Sequence, residues 1–119
     1  MKMDIHATNF AMTPPLLRHV RSRVTDALAP ARASVAGVMV RLRDLNGPKG
    51  GVDKRCRIAV WPSRRGSAAA AVVNAVDRDL YTAVDAAAAK VREAVRRRRK
   101  RRRTLRREYA ARRLERQAA

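Results

Sequence analysis

The chain has 119 residues, and its 29 Lys and Arg against 10 Asp and Glu give a formal charge of +19. One domain of this length can bury a core without disulfides, and its single cysteine excludes an internal disulfide, as is typical of a reducing compartment. No stretch reaches the ~20 apolar residues that span a bilayer, and the first ten residues lack the apolar core of a secretory signal, so we expect a cytoplasmic protein.

A strand and an amphipathic helix are predicted first. Residues 3–7 alternate between apolar and polar, the period-two pattern of a half-buried strand. Thr13 is placed to cap a helix with Pro14 in its first turn, where a missing N–H has no cost, and Pro30 is expected to end that helix. The apolar residues on one face of the helix are Leu16, Val20, Val24, Ala27 and Leu28.

Three more strands are predicted next. Alternation over residues 35–45 and 52–61 indicates two of them, followed by turns at 46–51 and 62–67. Residues 67–76 combine Ala, which favours helix, with Val, which favours strand, and the neighbouring turns favour a strand. The side chains expected to face the core are Val38, Val40, Leu42, Cys56, Ile58 and Val60. Those expected on the outer face are Met39, Arg41, Arg43, Arg55, Arg57, Ala59 and Trp61.

The last predicted element is a helix with Asp77 as its N-cap. Its apolar stripe ends at Val95, because the same face then meets Arg98 and Arg102. The stripe consists of Leu80, Val84, Ala87, Val91 and Val95. We therefore divide the chain into an α+β domain over residues 1–95 and an Arg-rich C-terminal helical extension or tail over 96–119.

The end of the chain has opposing signals. Leu105 and Tyr109 return to the apolar side of the helix, which favours its continuation. Eight adjacent cations precede them and repel one another along a helix, so the sequence leaves open whether residues 104–119 are helical or disordered. Neutralisation by an anion should favour the helix.

The element order is β-α-β-β-β-α, which predicts an α+β fold with a four-stranded mixed sheet and two helices. The first two strands are joined through the helix and should be parallel, because a parallel pair needs a crossover connection. The remaining neighbours should be antiparallel hairpins.

Three stretches, in this order and spacing, resemble one known family. They are "MTPPLLRHVRSRV" (Met12–Val24), "DKRCRIAV" (Asp53–Val60) and "DLYTAVD" (Asp79–Asp85). The family is that of the ribosome hibernation-promoting factors, also called ribosome-associated inhibitor A or ribosomal subunit interface proteins, and the resemblance covers roughly residues 3–101. The chain resembles a short form, without the C-terminal dimerisation domain of longer members.

The resemblance implies a fold similar to the double-stranded-RNA-binding fold, with both helices on one face of the sheet. It also implies a ribosome-associated translation inhibitor that binds the small ribosomal subunit between head and body. There the protein would block the sites of messenger RNA and of A- and P-site transfer RNA in stationary phase or stress. A monomer is expected when the protein is free.

The composition independently predicts a nucleic-acid partner. Arg outnumbers Lys by 24 to 5, and residues 90–119 hold fifteen of the cations against three Glu. Self-repulsion of this size destabilises a compact fold unless a polyanion screens it, and guanidinium favours bidentate contact with phosphate. We expect the RNA contacts to be the basic residues of both helices and of the Arg run: Arg18, Arg21, Arg23, Lys90, Arg92, Arg96, Arg97, Arg98, Arg99, Lys100, Arg101, Arg102 and Arg103.

Four of these contacts are also implied by the resemblance, namely Arg23, Lys90, Arg97 and Arg101. At Glu93, where some relatives are basic, this chain is acidic, and we expect Glu93 to pair with Arg97 one turn later, an effect of about 0.3 kcal/mol.

Other functions and other roles for single residues compete with this interpretation. The main alternative is a general double-stranded RNA- or DNA-binding, nucleoid-like protein, and a third is a protein that binds anionic membranes. Tyr81 and Trp61 are expected to pack rather than stack on bases, and the four outer-face arginines to form a solvated surface. With two histidines far apart and without ligand spacing to Cys56, and no glycine-rich phosphate loop, we expect no metal, no cofactor, no small-molecule substrate and no enzymatic activity.

Overall fold

The computed structural model describes residues 1–46, 51–63 and 69–118. The elements are β1 (Lys2–Thr8), α1 (Pro14–Leu28), β2 (Val35–Asp44), β3 (Lys54–Pro62), β4 (Ala71–Asp77) and α2 (Leu80–Ala118), with a 3-10 helix over Ala29–Ser34. This is the predicted order, and the ambiguous Ala- and Val-rich stretch is a strand. The predicted turns lie partly outside the described residues, at positions 47–50 and 64–67.

The four strands form one mixed sheet in the order β1-β2-β3-β4. β1 and β2 are parallel, from Lys2 opposite Gly37 to Thr8 opposite Arg43, since α1 carries the chain back across the sheet between them. β2 with β3 and β3 with β4 are antiparallel. The predicted mixed sheet is therefore confirmed, strand by strand.

Both helices pack on one face of the sheet. Side chains from α1, α2 and the inward positions of β2, β3 and β4 join in a single hydrophobic cluster. All five apolar residues predicted for α1 are buried, and so are all six inward residues predicted for β2 and β3. The alternation of a strand sends the intervening side chains to the opposite face, which carries no helix among the described residues.

One outer-face residue differs from its expected exposure. Ala59 is only 8% exposed although it lies outside the helix-packed cluster. Its register neighbours are Met39 on β2 and Val72 on β4, and these larger side chains flank the small one. Ala59 is therefore covered on the open face, rather than turned inward.

The helix starts are set by side-chain caps. Thr13 Oγ1 accepts a hydrogen bond from the Leu16 N–H at 3.4 Å, as predicted for α1. For α2 the prediction of Asp77 was wrong, because Asp79 is the cap: its Oδ2 accepts from the Thr82 N–H at 3.1 Å. Asp77 instead accepts from the N–H groups of Arg78 and Asp79, which turns the chain out of β4.

Pro30 does not end α1 directly. The α-helix stops at Leu28, and Pro30 lies in the first turn of the 3-10 helix that follows. A proline is tolerated there because the first N–H groups of a helix have no internal partner.

A buried ionic cluster fixes the start of β3. Asp53 is fully buried, and Lys54 Nζ lies 2.9 Å from Asp53 Oδ1 and 3.1 Å from Asp44 Oδ1. The hydrogen bond from Lys54 to Asp53 is the main reason that the pKa of Lys54 is raised. The Leu45 N–H also donates to the Asp53 carbonyl at 2.8 Å, so the cluster holds the adjoining ends of β2 and β3 together.

Candidate nucleic-acid interface

The three basic residues of α1 are exposed but do not share one side of the helix. Successive residues of an α-helix are rotated by about 100°, so Arg21 and Arg23 differ by about 200° and Arg18 and Arg23 by about 140°. Arg23 lies at the edge next to α2, where it contacts Asp85. The structure therefore brings only Arg23 of this set against α2, and Arg18 and Arg21 point to other sides.

Asp85 on α2 joins the two helices. Its Oδ1 lies 2.7 Å from His19 Nε2 and 3.2 Å from Arg23 Nε. The ring of Tyr81 lies one turn earlier on α2, with its centroid 4.9 Å from that of His19. Sequence reasoning missed this contact because its partners are more than 60 positions apart. The only local signal was the spacing of His19 and Arg23, one turn apart.

Four arginines on α2 continue from Asp85 along the side that faces α1. They follow Asp85 by 7, 11, 14 and 18 residues, which keeps them within about 40° of its direction. They are Arg92, Arg96, Arg99 and Arg103. We call this set the α1-side row. Arg99 is half-buried and the other three are exposed, so Arg23 and this row form one cationic strip that starts between the helices.

A second set of cations lies on the side of α2 nearest β4. Lys90 Nζ donates a hydrogen bond to the Asn74 carbonyl of β4 at 2.7 Å, and Arg97 and Arg101 follow Lys90 at 7 and 11 residues, on the same side. We call these three the β4-side row. Arg23 and this row were expected to act together. Lys90 and Asp85 are rotated by about 140° from each other around α2. Because Arg23 contacts Asp85, it lies beside a different side of α2 from the β4-side row.

Glu93 pairs with the neighbouring cations, as predicted. Its carboxylate accepts a hydrogen bond from Arg97 Nε at 3.2 Å and lies 4.0 Å from Arg96 Nε. Because the two arginines are largely exposed and Glu93 is about half exposed, each pair is worth well below 1 kcal/mol. Glu93 therefore orients Arg97 without preventing its exchange to a phosphate.

The remaining predicted contacts complete a cationic surface around α2. Arg98 and Arg102 lie on the same side of α2 as its apolar stripe, which ends at Val95, and both are half-buried. Lys100 is exposed on the solvent side between the two rows. With 39 residues, α2 is about 58 Å long, and it extends well past the helix-packed core.

Aromatic and metal-binding candidates add little to this surface. Tyr81 was expected to pack in the core, but it is 38% exposed beside His19, because it lies on the α1-facing side of α2. Trp61 is 37% exposed and lies opposite Gly37 on the open face.

In the described part of the chain, no three His, Cys, Asp or Glu side chains are grouped to hold a metal. Likewise, none of its helices combines the length and apolarity needed to cross a bilayer.

Comparison with known proteins identifies the family. The sequence profile of the family described as sigma 54 modulation protein / S30EA ribosomal protein matches residues 3–103. The match covers most of the chain, which therefore belongs to this family. A search of curated proteins gave no match.

Solved structures share the fold. The N-terminal domain of protein Y from Thermus thermophilus is 19% identical, with a TM-score of 0.63 over 81% of this chain and 98% of that one. A ribosomal subunit interface protein from Coxiella burnetii is 17% identical, with a TM-score of 0.64 over 82% of this chain and 96% of that one. The α+β fold with two helices on a four-stranded mixed sheet is thus that of the protein Y N-terminal domain.

Proposed function

We propose that the protein is a ribosome hibernation factor that binds the RNA of the small ribosomal subunit through α1 and α2. It inhibits translation by occupying the space of messenger RNA and of transfer RNA in the A and P sites. Membership of the S30EA ribosomal protein family supports a ribosomal partner. The fold shared with a ribosomal subunit interface protein is consistent with it.

The observation that carries the proposal is the strip formed by Arg23 and the α1-side row. Four of its guanidinium groups are spaced along α2, which is anchored by buried side chains up to Val95, and Arg23 on α1 adds the fifth. Folded RNA presents fixed phosphates, and a row of Arg along one side of a helix can neutralise several of them and release their counterions. Five such contacts, at about 0.7 per contact in the salt exponent, lower affinity roughly 130-fold over a fourfold increase in salt.

Inhibition through such contacts needs no chemical step. Phosphate contacts position a protein without reading sequence, and A-form RNA is recognised mainly by its shape. Specificity therefore comes from the fit of the whole domain into a cleft of the ribosome. A domain that fills the decoding channel excludes messenger and transfer RNA by volume alone.

The proposal is tested by competition on purified small subunits. Labelled P-site transfer RNA is bound together with messenger RNA, and the full-length protein is added in increasing amounts at low salt. We expect stoichiometric protein to prevent transfer RNA binding while co-sedimenting with the subunit, and high salt to release it. Protein and transfer RNA that remain bound together on the same subunit contradict the blocking mechanism.

The alternative, a general duplex-binding protein, is separated by a second competition. Plain duplex RNA or DNA is added to the protein–subunit complex at equal phosphate concentration. We expect the duplexes to displace the protein poorly, since they offer charge without the shape of the cleft. Equal affinity for random duplex and small subunit favours the nucleoid-like alternative.

A further inference from the structure

The open face of the sheet carries four arginines on its two central strands. In the strand register Arg41 lies opposite Arg57, and Arg43 lies opposite Arg55. Opposed residues of an antiparallel pair have Cβ atoms about 5 Å apart, and same-face neighbours along one strand are about 7 Å apart. These four residues form a compact two-by-two group, which we call the sheet-face array.

The neighbours of the sheet-face array do not neutralise it. The same rows of the sheet contain His6 and Thr8 on β1 and Asn74 and Val76 on β4. The nearest acid on this face is Asp4, one row away, in register with Met39. Among the described residues, none of the four arginines takes part in an ion pair. Arg55 is half-buried and the other three are exposed.

This arrangement has a cost for the isolated fold. Like charges directly opposite each other on adjacent strands are destabilising, and here two such pairs lie side by side. On a sheet face that only contacts solvent, Thr or oppositely charged cross-strand pairs would stabilise the strands without this repulsion. Placing four like charges together is a violation of local preference, and such violations are expected where function requires them.

The array also lies on the opposite side of the domain from both helices. α1 and α2 pack on the inward face of the sheet, and the α1-side row is rotated by about 140° from the side of α2 that contacts β4, so the sheet separates this row from the array. RNA backbone that follows the α1-side row therefore does not reach the sheet-face array.

We propose that the sheet-face array binds a second segment of RNA phosphate backbone, so that the domain is held between two segments of ribosomal RNA. This inference rests on the proposed function and extends it to the face that the helices leave open. Charge complementarity selects the occupant, because four Arg offer paired guanidinium donors to successive phosphates. A domain bound on both faces has a fixed orientation in its cleft. Contacts on one face alone do not impose that orientation.

Arginine-specific chemical modification of the protein bound to purified small subunits tests this inference. The free and bound full-length protein are treated with phenylglyoxal at low salt, and the modified residues are identified by mass spectrometry. We expect protection of the α1-side row and of the sheet-face array, at least about fivefold for Arg41 and Arg57, with Arg32 and Arg78 still reactive. Protection of the helix residues alone overturns the inference and leaves the proposed function intact. If neither surface is protected, both fail.

Matched double variants give a second measurement. R41Q/R57Q is compared with R32Q/R78Q, which removes the same charge from exposed positions outside both cationic surfaces. Two lost phosphate contacts should reduce the exponent of the salt dependence by about 1.5, whereas the control should leave it unchanged. Equal exponents in the two variants overturn the inference.

A photo-crosslinker identifies the occupant. p-Benzoylphenylalanine replaces the exposed His6, which lies opposite Arg41 in the register, and the complex is irradiated. Adducts with ribosomal RNA support the inference. Adducts confined to a ribosomal protein show that an acidic protein surface covers the array, and they overturn it.

Discussion

If the proposed function holds, Asp85 is the residue at which the contact between the helices competes with RNA binding. Its carboxylate holds both His19 and Arg23, so it orients Arg23 while also offsetting part of its charge. The carboxylate is about half exposed, and exposed pairs of this kind contribute at most about 1 kcal/mol to folding. A phosphate can therefore replace Asp85 as the partner of Arg23 at little cost in stability.

Replacing Asp85 with Asn should strengthen binding to the small subunit by a few-fold at low salt, because Arg23 is released and one negative charge is lost. The fold should lose no more than about 1 kcal/mol. Affinity is measured by sedimentation with the subunit, and stability by urea unfolding.

D26N is the matched control, since it removes the same charge from an exposed α1 position that is in no ion pair within the described ranges. An increase that is equal in both variants is a general charge effect. Weaker binding of D85N contradicts a role of Arg23 in phosphate contact.

Titration of Cys56 makes the free energy of unfolding depend on pH in the alkaline range. Burial raises the pKa of its thiol from 9.0 to about 12 in the folded protein. The unfolded thiol ionises first as pH rises, so the unfolded state binds fewer protons between these values and the folded state loses stability. Compared with C56A, the free energy of unfolding should fall by about 1 kcal/mol more between pH 8 and pH 10. Parallel curves for the two proteins contradict a thiol that is buried and protonated.

The Lys54 cluster acts in the same direction at higher pH. The pKa of Lys54 is raised above 10.5, chiefly by its hydrogen bond to Asp53. Its contribution is complete below that value and is lost as pH rises through the raised pKa of the folded state. The cluster therefore contributes fully near neutral pH, where titration of Lys54 does not change the free energy of unfolding.

At the scale of elements, α2 consists of two segments that are stabilised in different ways. From Leu80 to Val95 it is fixed by six buried side chains on the sheet and α1. From Arg96 onward no residue is buried among those described, and like charges one turn apart repel by a few tenths of a kcal/mol each. The outer segment is thus stabilised by propensity alone, which is marginal for isolated helices in water.

We expect the outer segment of α2 to gain helix when its charge is neutralised. Circular dichroism at 222 nm should show a rise in helicity of several residues on adding sulfate or a duplex RNA. Trypsin should cleave first after the residues of the Arg run in low salt, and bound subunits should protect them. Helicity and cleavage that do not change with salt or RNA contradict this coupling.

Much of this architecture could be predicted because each element has a strong period. The stripe of α1 from Leu16 to Leu28 and the alternation of β2 and β3 determine which side chains meet in the core, and the structure confirms them. The cap of α2 was misplaced because Asp77 and Asp79 both suit a helix start, and only the exit of the chain from β4 decides between them. The helical period alone separates the cations of α2 into rows. Which row faces α1 and which faces β4 depends on the contacts of Asp85 and Lys90, which no local pattern contains.

At the scale of the whole molecule, the charge is spread over an elongated body. The Cα atoms extend over 69 × 24 × 23 Å, and the long dimension matches a domain with one projecting helix. A net charge of +19 on this shape steers the protein toward polyanions and makes binding depend strongly on ionic strength. Long-range attraction of this kind does not select a partner, so under the proposed function specificity depends on the fit of the whole domain into its cleft.

The most direct measurement is the salt dependence of binding when two members of the α1-side row are removed. R92Q/R99Q and the control R32Q/R78Q lose the same charge, and Gln keeps the helix because its propensity is close to that of Arg. Binding to purified small subunits is measured at several salt concentrations, with circular dichroism to verify folding. We predict that R92Q/R99Q binds at least tenfold more weakly and that its salt exponent falls by about 1.5, with the control unchanged. A folded R92Q/R99Q variant that binds as the control does would contradict RNA recognition by this row.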